Sequence, residues 1–316
     1  MSTSISSLRA RFSLWRRAPL IDGRLAVALL FLPPALFLFT LFVALPMGEA
    51  AWYSFYNWNG YGTPETFVGL KNYVLLFQNR AFRVALSNNL MIIAVSLAIQ
   101  LPLALGMAIL LADRIRGAVT FRMIFFVPYV LAEIAAGLIW RFVYDGDYGL
   151  LAKIATALGF AAPYVLADRD LAMYAILVVV VWKYFGFHMM LYIAGLQQID
   201  PNLYEAAHID GATGRQIFAR VTLPLLGPTI RLSVFFAVLG SIQLFDLLMP
   251  LTKGGPSDST QTMVTYLYSY GVTRMRIGFG SAVGVILFVI CVAFAFGYSR
   301  LGPLSLRERP EGEGKV

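Results

Sequence analysis

Apolar residues recur along the chain in six long, nearly unbroken blocks, at residues 25–47, 85–111, 123–142, 171–193, 225–251 and 279–299. Each has the roughly 20 residues that a helix needs to cross the hydrocarbon of a bilayer. The blocks are continuously apolar and lack the roughly ten-residue alternating segments of membrane barrels, so they read as helices. Pro33, Pro34 and Pro102 fall inside blocks, which a bundle tolerates because neighbouring helices re-satisfy the carbonyls a proline frees. The pattern predicts an all-α polytopic protein with six transmembrane helices. It sets a basic N-terminal tail at 1–24, a membrane domain at 25–299 and a C-terminal tail at 300–316. The segment RARFSLWRRAP before the first block looks like the start of a secretory leader, but the apolar stretch at 25–47 exceeds the 7–15 residues of a cleavable one, so a retained signal anchor is expected.

Composition supports the membrane reading. Hydrophobic residues make up 59% of the chain and charged residues 13%, against about 45–50% and about 25% in soluble domains. Cys291 stands alone, and His188 and His208 are too few and too far apart for a zinc motif, so neither a disulfide framework nor a cysteine–histidine metal site is supported. No Gly-x4-Gly-Lys-Ser/Thr phosphate loop occurs, and no nucleophile–base constellation or nucleic-acid signature is evident. No cofactor is expected on this chain. Any ATP and Mg would be held by another polypeptide.

Charge then orients the spans. The N-terminal tail, the DRIRG loop with Arg122, the segment between the fourth and fifth blocks, and the C-terminal tail hold 14 Lys and Arg; the alternate loops hold eight. Basic residues accumulate on the cytoplasmic side, so both termini are expected there. Trp and Tyr cluster at span ends, as in WYSFYNWNGYG, which suits an interfacial aromatic belt.

Between the fourth and fifth blocks, residues 200–224 are polar. QQIDPNLYEAAHIDGATGRQIFARVTLPLL reads as two short helices. Asp200 caps the first, Pro201 occupies its first position, and Gly211 supplies a left-handed stop. Thr213 and Gln216 form a capping box for the second, which is expected to end near Pro224. Leu203, Ala206 and Ala207 share one face, and Ile217, Phe218 and Val221 another. Helices of about ten residues reach roughly 15 Å and cannot span, so the hairpin is expected to lie along the cytoplasmic surface.

Glu205-Ala206-Ala207, three residues, Gly211, nine residues, then Val221-Thr222-Leu223-Pro224 resembles the EAA loop of binding-protein-dependent ABC importers, with Val221 where the family usually has Ile. SFYNWNG with FVGLKNY, WKYFGFHMMLYIAGLQQIDPNLYEAAHIDGA and QLFDLLMPLTKGGPSDSTQTMVTYLY resemble carbohydrate-uptake permeases of the MalF type. The resemblance implies an inner-membrane permease subunit of a bacterial or archaeal cell. Its partners would be a second permease subunit, two ATP-binding subunits and an extracytoplasmic solute-binding protein. It implies that Glu205, Ala206, Ala207, Asp210 and Gly211 form a coupling helix docked on the ATPase.

The resemblance also implies that the spans flanking the hairpin line the substrate pathway. Helical spacing then puts Val180, Tyr184 and Phe187 on one face of the fourth block, and Ala237, Ser241 and Leu244 on one face of the fifth. Lys183 and Asp246 are charged inside apolar blocks and default to functional candidates, with Glu133 weaker. Arg141 and Arg231 lie near span ends and can snorkel, and His188 is expected to pack. Aromatic platforms and hydrogen-bond partners for a sugar come from Tyr184, Phe187, Phe245, Ser241 and Gln243. The expected function is the permease half of an ATP-driven importer of a carbohydrate or related small polar solute. The alternative is an ion-coupled secondary transporter using Glu133 or Asp246, which would have no need of an ATPase-docking hairpin.

Overall fold

The computed structural model describes residues 23–112 and 117–300. Most of the basic N-terminal tail, Arg114 and Arg116, and residues 301–316 of the C-terminal tail lie outside these. Among the described residues all regular structure is helical, with one isolated antiparallel bridge, Tyr56 to Phe67.

Residues up to Trp52 form one unit and those from Tyr53 a second. The first unit contributes helix α1 (Val27–Tyr53), which is apolar but for Glu49 near its end and carries no buried residue in its span window. The second unit begins with α2 (Lys71–Gln78) and α3 (Arg80–Ala112), then α4 (Ala118–Val130), α5 (Glu133–Val143) and α6 (Leu150–Ala157). It continues with α7 (Ala172–Leu196), α8 (Pro201–Ile209), α9 (Gly214–Leu225), α10 (Gly227–Ile242) and the single turn α11 (Leu248–Leu251). It closes with α12 (Met263–Tyr266, continued by a π turn to Val272) and α13 (Ile277–Arg300).

Four of these helices, α1, α3, α7 and α13, are each long and apolar enough to cross a membrane. The expected third and fifth spans are not single straight helices. Helices α4 and α5 meet at 97°, and α9 and α10 at 65°. Counting each bent pair as one crossing brings the number to six. Leu131 and Ala132 are extended at the first break, and residues 243–247 leave the helix after Ile242 where the expected fifth span continued to residue 251.

Prolines shape the longer helices without ending them. Three five-residue π turns, Thr40–Ala44, Ser96–Gln100 and Phe218–Thr222, each stop two residues before a proline: Pro46, Pro102 and Pro224. In each, the residue before the proline donates its N–H five residues back, as Leu101 does to the Ser96 carbonyl. Proline lacks an N–H, and its ring collides with the carbonyl four residues earlier. Widening the turn by one residue relieves that collision and lets the helix run on. Hence α9 continues through Pro224 to Leu225.

In lipid there is no hydrophobic force between helices, so packing and small residues decide what touches. Helix α7 is the centre of the second unit and packs chiefly on α4 and the later half of α3. Ala104 and Ala108 of α3, both fully buried, lie in one cluster with Phe185, Met189 and Tyr192. Gly186 lets the backbone of α4 come so close that a Cβ there would stand 2.0 Å from the Phe125 carbonyl oxygen.

Polar side chains then tie the broken segments together. Asn88 Nδ2 donates to the carbonyls of Ser259 and Gln261, both at 2.8 Å. Asn89 Nδ2 donates to the Ser241 carbonyl at 2.7 Å, and its Oδ1 accepts from the Met263 N–H at 2.8 Å. Both asparagines are buried. They join α3 to the end of α10 and the start of α12. Asn89→Leu strands a buried carbonyl and a buried N–H, and is expected to cost about 1–3 kcal/mol. The thermal unfolding midpoint in detergent should fall by several degrees; an unchanged midpoint would remove the asparagine from the frame.

Candidate functional site

A cavity of about 700 Å³ opens between α3, the α4–α5 break, α7 and the end of α10. Tyr129 and Glu133 line it from either side of the break, and Tyr184, Phe187 and His188 from α7. Ser241, Gln243 and Asp246 line it from the end of α10 and the irregular segment that follows. Ser96 and Gln100 complete the polar wall from the π turn of α3.

The geometry of the break decides which groups reach this space. Lys183 is only 1% exposed. Its ammonium donates to the carbonyls of Pro128 and Tyr129, both at 2.9 Å, and to that of Leu131. These are carbonyls a continuing helix would have paired internally. A lysine has three donors and meets three acceptors. The next residue of α7, Tyr184, holds the other side of the break by donating from its hydroxyl to Glu133 Oε1 at 2.7 Å. Glu133 is in the first turn of α5, where a carboxylate complements the helix dipole. Tyr129 stacks on Phe187 with centroids 4.8 Å apart, which makes an aromatic platform beside the carboxylates.

The residues expected on the pathway are therefore divided. Tyr184, Phe187, Ser241, Gln243, Leu244 and Asp246 line the cavity together, with Val180 and Ala237. Lys183 and Phe245 do not: the lysine is turned into the break, and the Phe245 ring packs on Tyr268 at 5.4 Å. His188 is buried with Nδ1 2.7 Å from Ser233 Oγ. Sequence reasoning passed over Ser96, Gln100 and Tyr129. The first two carried a signal, since polar residues four apart in an apolar block share a helix face.

The second candidate site is the hairpin. Asp200 accepts from the Asn202 N–H at 2.9 Å and caps α8, with Pro201 at its first position. Gly211 makes the turn at φ +74°, and Gln216 Oε1 accepts from the Thr213 N–H at 2.7 Å. Ile217 is buried and anchors α9. Along α8 and the turn, Glu205, Ala206, Asp210 and Gly211 are exposed, while Ala207 is half-buried. Ile209 is 86% exposed. An isoleucine presented this fully beside two alanines makes a small, uncovered apolar surface.

Bent apolar helices around a cavity with polar groups set in a mostly apolar wall, two of them joined through a capped hairpin, are what a membrane transport subunit needs. Residues 100–304 match the model of the binding-protein-dependent transport system inner membrane component. The chain belongs to that family: it is a multi-pass permease subunit of an inner membrane and not an enzyme. It is 33% identical to the diacetylchitobiose uptake system permease protein NgcF of Streptomyces coelicolor, over 89% of this chain and 83% of that one. It is 31% identical to the trehalose/maltose transport system permease protein MalF of Thermococcus litoralis, over 85% and 91% of the two chains. A crystal structure of a bacterial ABC transporter that imports the acidic polysaccharide alginate has the same fold, with a TM-score of 0.78 at 22% identity over 92% of this chain and 98% of that one.

Lys183→Met removes the partner of three carbonyls at once and is expected to lower stability by about 3 kcal/mol or more. Size-exclusion profiles of the detergent-extracted protein should show aggregation, with Lys183→Arg intermediate. A monodisperse Met variant of normal thermal stability would refute the capping role.

Proposed function

We propose that this chain forms half of the translocation pathway of an ATP-driven importer for a carbohydrate or related small polar solute. The observation that carries the reading is the hairpin at 200–224: it is capped at each turn, and its Glu205-Ala206-Ala207…Gly211 stretch is open to a partner. Coupling is assigned to Glu205, Ala206, Ala207, Asp210 and Gly211. The glutamate offers the polar contact, the alanines allow close approach, and the glycine makes the turn. A second permease subunit would complete the pathway, two ATP-binding subunits would hold ATP and Mg, and an extracytoplasmic binding protein would deliver the solute. The excess of basic residues, 14 against eight, supports cytoplasmic termini and a cytoplasmic hairpin.

The geometry supports a route from hairpin to cavity. Helix α9 passes into α10 at a 65° bend, and the far end of α10 carries Ser241 with Gln243 and Asp246 just beyond. A push on α8 and α9 during ATPase closure would tilt α10 and move those groups within the cavity wall. The aromatic pair Tyr129–Phe187 and the hydroxyl and amide groups around it suit a sugar. Relatives named for diacetylchitobiose and for trehalose and maltose support the same solute class.

Glu205→Arg should leave the subunit folded and inserted, reduce the ATPase retained on co-purification about tenfold or more, and abolish uptake. The measurement is proteoliposome uptake with the complete assembly. Full transport by the variant, or wild-type uptake driven by a proton gradient without ATPase subunits, would overturn the reading.

A further inference from the structure

The cavity wall has a charge that the overall composition hides. The chain carries a formal net charge of +8, yet among the described residues lining the cavity the only full charges are two carboxylates, Glu133 and Asp246. The cation nearest in sequence to the lining residue Tyr184 is Lys183, and its ammonium points into the α4–α5 break at the carbonyls of Pro128, Tyr129 and Leu131. His188 has its Nδ1 at Ser233, on the neighbouring α10. Glu133 is held in place by the Tyr184 hydroxyl and is only half-buried. Asp246 is exposed and accepts no hydrogen bond among the described residues.

We infer that the cavity is a charge filter: it admits neutral or amine-bearing glycosides and rejects anionic ones, with Glu133 and Asp246 as the residues that reject. This rests on the reading of the cavity as the solute site. Inside a bundle, with low-dielectric walls, like charges repel far more strongly than in water. An anion entering the cavity meets two carboxylates on this wall: Glu133 is partly offset by the Lys183 ammonium, and Asp246 has no cation beside it on the lining. A hydroxyl can donate to either carboxylate. A protonated amine gains more, because either carboxylate also attracts its charge. Specificity of this kind comes from repulsion of the wrong ligand and needs no further contact to the right one.

The test uses the complete permease–ATPase assembly in nanodiscs without the binding protein, so that only the cavity selects. Three probes of equal length are titrated by calorimetry: an N-acetylglucosamine disaccharide, its de-acetylated diamine, and a uronate disaccharide. The uronate is expected to bind about tenfold or more weakly than the neutral probe, and the diamine at least as tightly. Asp246→Asn and Glu133→Gln should each narrow the gap between uronate and neutral probe, and the double variant should nearly close it. Asp246 is exposed and accepts no bond from the frame, so its variant is expected to keep the fold even if the Glu133 variant loosens the break. A uronate that binds wild type as well as the neutral sugar overturns the filter, as does a gap unchanged in Asp246→Asn and the double variant. If none of the probes binds, the cavity is not the solute site and the reading beneath the filter fails with it.

Discussion

A helix that breaks inside hydrocarbon must hand its last carbonyls to another donor. Away from water, each stranded group costs several kcal/mol. Two breaks in this chain meet that demand by different means. At Leu131–Ala132 a lysine from the neighbouring helix takes the load; at 241–242 Asn89 supplies an amide, with Asn88 alongside it binding the segment that follows. The lysine is the more costly choice, since a desolvated ammonium is unfavourable in itself. What offsets it is a C-terminal helix end, where carbonyl dipoles concentrate negative potential. The bends at α4–α5 and after α10 rest on these few side chains, and the bends make the cavity.

Helix α7 links the two candidate sites. Its buried middle holds Lys183 against the break and turns Tyr184 and Phe187 toward the cavity, and its C-terminal end leads within five residues into the capped start of the hairpin. Helix α10 makes the matching connection on the far side, from the bend at Leu226 to the polar residues beyond Ile242. Both strands of the hairpin therefore lead to helices whose other parts line the cavity. Packing of α7 is tight enough that Gly186, against α4, and Gly195, against the start of α10, have no room for a methyl group, so displacement is carried by whole helices and does not dissipate in loose side chains.

What could be read from the chain alone follows from which physics acts locally. Bilayer thickness sets the length of an apolar block, so six blocks were legible, although the helix of the fifth ends at Ile242 where residue 251 was expected. Caps are local too, and Asp200, Gly211 and the Thr213–Gln216 pair announced the hairpin. The breaks were not legible. Leu131 and Ala132 are ordinary apolar residues, and what makes their extended backbone tolerable stands about fifty positions away in Lys183. Hydropathy registers composition and is blind to dihedral angles. For the same reason an intramembrane lysine reads as a substrate ligand until the positions of the carbonyls are known, and Phe245 reads as a platform until its ring is seen against Tyr268.

Fold stability and site electrostatics are, in this molecule, one choice. A charged residue in a membrane segment can reach for the interface, serve the frame, or face a polar cavity. Lys183 serves the frame; Glu133 and Asp246 face the cavity. Had the break been capped by a neutral donor, a lysine on α7 would have been free to pair directly with Glu133, leaving Asp246 as the one unpaired carboxylate on the lining. Directing the ammonium at the backbone leaves Glu133 only partly offset and Asp246 without a cation on the lining. The same three hydrogen bonds that permit a 97° bend thus shape the charge of the cavity lining.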